Sequence, residues 1–256
     1  MGYLIETSLF AVALLICMLF LLEIGRRVGQ RRMETDAEGA RAGLGAVDGA
    51  VFALLGLLIA FNFSGAAARF DNRRQLIVEE ANAIGTAYLR LDMLPEKDQP
   101  PLRDKLRKYV DARLLAYKKL PDISAARAEL AVATKIQSEI WRDAVAACRA
   151  YPLATMLLLP ALNAVFDIAT TRTMAAQMHP PKIVFAMLAG LALASSLLAG
   201  YGMAASRTRS WILMLAFTAM MALAVYVILD MEFPRFGLIR VDAFDQALID
   251  VRASMQ

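Results

Sequence analysis

The chain has 256 residues, 59% of them hydrophobic, with a mean hydropathy of +0.49 and 28 Lys and Arg against 24 Asp and Glu. That hydropathy lies well above soluble usage and is gathered into a few long runs, which excludes an ordinary water-soluble domain. The two cysteines, Cys17 in an apolar run and Cys148 in a helical pattern, are too few for a disulfide framework or a thiolate metal site. The single histidine, His179, cannot form a zinc site or a catalytic pair unaided.

Thr7 to Leu22 is uncharged, bounded by Glu6 and Glu23 and followed by Arg26, Arg27, Arg31 and Arg32. A secretory signal carries its positive charge before the apolar run, so the reversed order predicts a retained membrane helix with a translocated N-terminus. Backbone groups in lipid must bond internally, and runs of roughly 18 or more apolar residues span a ~30 Å hydrocarbon core as helix. After a mixed-charge loop from Gly25 to Leu44, the second such run is Gly49 to Ala68. At about 100° per residue, Asp48, Phe52, Leu55, Ile59 and Asn62 share one stripe, polar at its ends and apolar between. Gly45, Gly49, Gly56 and Phe63 form the adjoining stripe, and glycines so placed let a second helix backbone approach closely.

From Phe70 the pattern becomes amphipathic and charged. Ile77, Ala81, Ile84, Tyr88 and Leu91 recur at helical spacing until Pro95. A second helix follows with Leu102, Leu106, Val110, Leu114 and Tyr117 on one stripe, and a third runs from about Ser124 to Ala150. Tyr151 to Ala169 is apolar but contains Pro152 and Pro160, and reads as a kinked helix buried in protein or lying at the interface. His179, Pro180 and Pro181 predict a loop. Ile183 to Ser206 and Ser210 to Leu229 are the third and fourth membrane helices, and their link at Arg207 to Arg209 forces an antiparallel hairpin. Ala186, Gly190, Ala194, Ser196 and Gly200 predict tight packing of the third. The polar tail from Asp230 is expected to fold back on the central helices.

The predicted fold is thus all-α and polytopic, two membrane helix pairs flanking an antiparallel, water-exposed helical layer. Its segments are 1–68, 69–182, 183–230 and 231–256. The central segment mixes 18 Lys and Arg with 13 Asp and Glu over residues 65–182, the mark of a solvated surface rather than a nucleic-acid partner.

Polar residues collect beside the membrane runs. Asp71, Arg73, Arg74, Glu79, Glu80 and Asn82 follow the second; Asn163, Asp167 and Arg172 precede the third; Asp230, Glu232 and Arg235 follow the fourth. Unpaired burial of such groups is costly, so they read as a structural ion-pair network, with an ion-attracting vestibule or a carboxylate metal site as alternatives. No Ser/His/Asp set, HExxH, CxxC or glycine-rich phosphate loop occurs, so no catalytic residue, cofactor or metal is assigned.

Three stretches carry a family resemblance: RFDNRRQLIVEEANAIGTAYLRLDMLP at Arg69 to Pro95, LNAVFDIATTRTMAAQMHPP at Leu162 to Pro181, and LDMEFPRFGLIRVDAFDQAL at Leu229 to Leu248. The sequence resembles the bacterial bestrophin-like membrane proteins, a family defined by a domain of unknown function, over nearly its whole length. Bestrophins are homopentameric ion channels whose second membrane helix lines the neck of the pore. The resemblance therefore implies a multi-pass protein of the bacterial inner membrane that assembles with copies of itself and passes inorganic ions. The calcium-binding acidic cluster of the animal channels has no counterpart here. On this reading the Asp48 stripe is the candidate pore lining, an apolar constriction with Asp48 and Asn62 at its mouths. The alternative is a non-conducting scaffold or sensor that binds a partner through the helical layer.

The positive-inside rule, applied to the arginines after the first helix and to Arg207 and Arg209, places both termini and the helical layer outside the cytoplasm. Arg69, Arg73 and Arg74 and the bestrophin precedent point the other way.

Overall fold

The computed structural model describes residues 2–35, 44–206 and 209–255, and among these it contains helices and no strands. Eight α-helices follow in order: α1 Gly2–Thr35, α2 Leu44–Arg90, α3 Gln99–Lys118, α4 Ile123–Cys148, α5 Pro152–Gln177, α6 Lys182–Gly202, α7 Trp211–Glu232 and α8 Gln246–Ser254. Among the described residues four helical stretches are long and apolar enough to cross a membrane: Glu6–Thr35, Gly45–Met93, Pro152–Ala205 and Trp211–Glu232. The protein is an all-α, polytopic membrane protein.

The second apolar run and the first amphipathic segment form one unbroken helix of 47 residues, α2. No proline falls between Gly45 and Leu94, so nothing interrupts the backbone ladder where the side chains change from apolar to charged. A 3₁₀ turn at Leu91–Met93 ends it, and Leu94 turns extended at ψ 158°, as the residue before a proline does. Pro100 and Pro101 stand in the first turn of α3, where a missing N–H costs nothing. The Asp122 carboxylate caps α4, accepting from the Ala125 N–H at 2.9 Å. In the stretch 151–169 Pro152 opens α5, and Pro160 lies within it. Burial of Ala154, Leu158, Leu162 and Val165 on one face holds α5 together across that proline.

The chain divides into two compact units, one of residues 1–68 and 179–233, the other of 69–178 and 234–256. In the first, α1 packs on α6 and α7, and Leu14, Met18 and Leu22 of α1, Leu188 and Ala192 of α6, and Met214 and Ala222 of α7 are buried. The approach is governed by glycine. A Cβ at Gly25 would stand 1.9 Å from the Leu197 carbonyl oxygen, and one at Gly200 would stand 1.9 Å from that of Leu22. Gly25 and Gly29 are four residues apart on α1, the small-residue spacing that lets membrane helices touch backbone to backbone. Two buried hydroxyls in these helices are satisfied within their own helix: Ser196 donates to the Ala192 carbonyl at 2.9 Å and Thr218 to that of Met214 at 2.8 Å.

In the second unit, α3 and α4 are joined by the short turn 119–122 and pack as an antiparallel pair. One core joins Ile84 and Tyr88 of α2, Leu106 and Tyr109 of α3, Ile140 and Ala144 of α4, and Leu158 and Leu162 of α5. The tail belongs to it too, through Val241, Leu248 and Met255. Complete burial of each large apolar side chain contributes about 1.5–3 kcal/mol, and Ile84, Leu106, Leu158, Leu162 and Leu248 are all 0% exposed.

Candidate functional site

Two arrangements in the chain are built from groups that a stable fold does not require: the membrane portion of α2, and a cluster of buried charge in the second unit.

The Asp48 stripe lies on one face of α2, which packs against the chain's own helices. Leu55 is 0% exposed and Asn62 8%, while Asp48, Phe52 and Ile59 are half-buried. Phe52 meets Phe217 of α7 edge-on at 6.0 Å between ring centroids, and the Asn62 amide donates to the Leu58 carbonyl one turn back at 2.8 Å. Asp48 approaches Gly202 at the end of α6, and one of its buried carboxylate oxygens finds no hydrogen-bond partner among the described residues. The opposite face of α2 is bare. It carries Ala46, Ala53, Leu57, Ala60 and Ser64, flanked by Gly45, Gly49, Gly56 and Phe63 on one side and Leu54 and Phe61 on the other. Around Gly45, Gly49 and Gly56 no described heavy atom comes within 4 Å of an added Cβ.

The buried cluster begins at Glu80 on α2, whose side chain is wholly enclosed. One carboxylate oxygen accepts from Arg113 Nε of α3 at 2.7 Å, the other from Arg172 Nη1 of α5 at 2.5 Å. Arg172 Nη2 reaches on to Asp245 at 3.0 Å, and Asp245 also takes two hydrogen bonds from Arg235, at 2.7 and 2.8 Å. Arg235 further binds Asp242 at 3.0 Å, and Asp242 pairs with Arg240. The Tyr117 ring lies amid three guanidinium groups, those of Arg172 at 4.0 Å, Arg235 at 4.5 Å and Arg113 at 5.4 Å. Its hydroxyl accepts from Arg113 Nη2 at 2.7 Å. Each cation is thus placed between a carboxylate and an aromatic face, where both interactions strengthen as water is removed.

Burial works against ionisation of Glu80, but Arg113 and Arg172 more than reverse it and hold its carboxyl below the ordinary range. For Arg113, burial is likewise outweighed by Tyr117 and Glu80, and its pKa stands above the ordinary arginine value. Burial raises the Tyr109 and Tyr117 hydroxyls, which stay protonated.

Of the polar residues singled out in the sequence, Glu80, Arg172 and Arg235 meet in this cluster. Arg73 does a different job: its Nε donates to the Ala175 carbonyl at 3.2 Å and its Nη2 to that of Met178 at 2.9 Å, closing the C-terminus of α5. Asp71 and Arg74 pair at 2.9 Å across one turn of the surface, with Asp71 69% exposed. Arg74 also lies over the Phe244 ring at 4.3 Å. Glu79 accepts from Gln75 at the surface, Asn82 is exposed, and Asn163 donates to Asp167 at 2.7 Å along the exposed side of α5. Asp230 and Glu232 are 0% exposed in the first unit, where Asp230 accepts from the Tyr226 hydroxyl and Glu232 lies 3.6 Å from His179. His179 stacks on Phe233 at 4.2 Å. Arg207, which entered the topology reading, lies outside the described residues. No group of three or more His, Cys, Asp or Glu side chains able to hold a metal ion occurs among the described residues.

Sequence reasoning did not assign Arg113, Asp242 or Asp245 to a site, and placed Tyr117 only on the apolar stripe of the second amphipathic helix. Arg113 was the legible one, because it falls three residues after Val110 and four before Tyr117, on the apolar stripe of α3. A cation at a core position demands a buried anion. The tail aspartates carry no comparable signal, since they lie in a single 3₁₀ turn, Asp242–Asp245, with no apolar stripe to place them.

The bare face of α2, the packed membrane helices and the buried clamp define an integral membrane protein with a charge-fastened helical layer. The Bestrophin-like domain model matches residues 10–243, and the chain belongs to that family. Two structures of a bacterial bestrophin homologue from Klebsiella pneumoniae, each carrying one mutation, share its fold. One gives a TM-score of 0.70 at 12% identity, covering 95% of this chain and 98% of that one. The other gives 0.64 at 13%, covering 93% and 99%. No curated protein sequence matches the chain.

Proposed function

We propose that the protein is a homo-oligomeric ion channel of the bacterial inner membrane, with α2 surrounding the pore and five copies about the axis, as the bestrophin resemblance implies. The observation that supports this most is the contrast between the two faces of α2. One is covered by the chain's own helices. The other is bare, and its glycines gain nothing from lipid, whereas they permit close approach of a second helix. On this reading neighbouring copies meet along the glycine edge, and the bare face turned to the axis forms a narrow apolar passage at Ala53, Leu57 and Ala60, gated by dewetting. The Asp48 stripe then braces α2 against α6 and α7.

Cysteine block of ionic current distinguishes the possibilities. In a Cys17→Ser, Cys148→Ser background, Ala53→Cys, Leu57→Cys and Ala60→Cys should each let a membrane-impermeant thiol reagent reduce the current, and Leu55→Cys should not. Block at Leu55 and Ile59 but at none of the three would assign the lining to the Asp48 stripe. Absence of current from every form would favour the scaffold reading.

A further inference from the structure

In the second unit α4 and α5 do not close completely over α3, and a cavity of 210 Å³ lies between them. Its polar wall includes Tyr109, Arg113 and Gln137, and its apolar wall Leu130, Ala133 and Met174. A second hollow of 380 Å³ has Gln137 and Thr170 in its lining as well. The volume is several times the about 30 Å³ that one water occupies in the liquid, room for a molecule of several heavy atoms.

Tyr109 is the anomaly. The residue is 1% exposed, and its hydroxyl finds no hydrogen-bond partner among the described residues. Buried hydroxyls are nearly always satisfied, by protein or by something bound. Beside it Arg113 has committed Nε to Glu80 and Nη2 to Tyr117, yet its side chain still lines the cavity. Over the whole network Arg113, Arg172, Arg235 and Arg240 meet Glu80, Asp242 and Asp245, four cations against three anions, with Arg240 and Asp242 the more exposed members. A net positive charge on the network favours an anion nearby.

We propose that this cavity binds a small organic carboxylate, its head held between the Tyr109 hydroxyl and the Arg113 guanidinium and its short apolar body against Leu130, Ala133 and Met174. A neutral isostere has the same body but forgoes the charge. A monatomic anion leaves the apolar wall empty.

Isothermal titration of the full-length, detergent-solubilised protein with butyrate and with pyruvate tests this, with butyramide as the neutral isostere and chloride as the ionic control. At least one of the two carboxylates should bind saturably, and butyramide and chloride should not. Tyr109→Phe should weaken that binding about tenfold to a hundredfold, the usual effect of losing a hydrogen bond to a charged group. The variant keeps its ring, which meets Phe166 edge-on at 6.2 Å, and should melt no lower than the parent without ligand, because the hydroxyl has no protein partner to lose. Failure of both carboxylates to bind, equal binding of butyramide, or unchanged affinity in Tyr109→Phe would each overturn the proposal and leave a water-filled cavity.

Discussion

Replacing Glu80 with alanine tests the buried cluster at the residue on which it turns. The side chain is 0% exposed and accepts from two guanidinium groups on two different helices, so its removal leaves Arg113 and Arg172 buried with their shared anion gone. Breaking a buried pair from one side costs about 3–5 kcal/mol, most of it the penalty of the abandoned charge. A chain of this size loses about 2–4 °C per kcal/mol, giving a fall in Tm of about 6–20 °C in detergent. Asp71→Ala is the matched control, because that pair is at the surface and such pairs are worth about 0–1 kcal/mol. The pH dependence has a definite sign. The folded carboxyl of Glu80 lies below its ordinary value, so its contribution is fully present above the ordinary carboxylate range and is lost as pH falls through the depressed folded value. The gap in Tm between parent and Glu80→Ala should therefore be widest near neutrality and narrow in acid. Equal melting of Glu80→Ala and Asp71→Ala, or a gap that widens in acid, would refute the reasoning.

Further outcomes can be checked by standard means. Gly200→Leu should abolish accumulation of folded protein, since its Cβ would meet a backbone oxygen at 1.9 Å, whereas Gly190→Ala, with open space around it, should express normally. Arg73→Met should release the last turn of α5, read as faster amide exchange at residues 175–178 and a Tm lower by a few degrees. For orientation, Lys118→Cys in a background free of other cysteines should react with an impermeant reagent on intact spheroplasts if the helical layer is outside; reaction only after lysis would reverse that topology.

The fold was legible because its signals are long. Each of the four apolar runs became a helix, and Pro95, Pro100, Pro101, Pro121 and Pro152 mark ends or beginnings of helices that composition alone would blur. The continuity of α2 was less plain, since a change from apolar to charged side chains looks like a boundary although the backbone ladder does not respond to it. The buried cluster was half legible. Glu80 lies in a motif stretch rich in charge and Arg172 in one with little, yet nothing local separates enclosed Glu80 from its exposed neighbour Glu79, because which face of a helix is covered depends on distant helices. The same limit governs α2: angular arithmetic groups Asp48, Phe52, Leu55, Ile59 and Asn62 on one face, but cannot say whether that face meets an axis or the chain's own α7.

The most direct test of the central claim is ion flux through the purified protein in liposomes of defined lipid, with voltage and pH varied and empty liposomes beside them. A channel ringed by α2 predicts flux above the empty vesicles, raised further when Leu57→Ala widens the apolar passage. Flux indistinguishable from empty vesicles for both the parent and Leu57→Ala, at every voltage and pH, would contradict it.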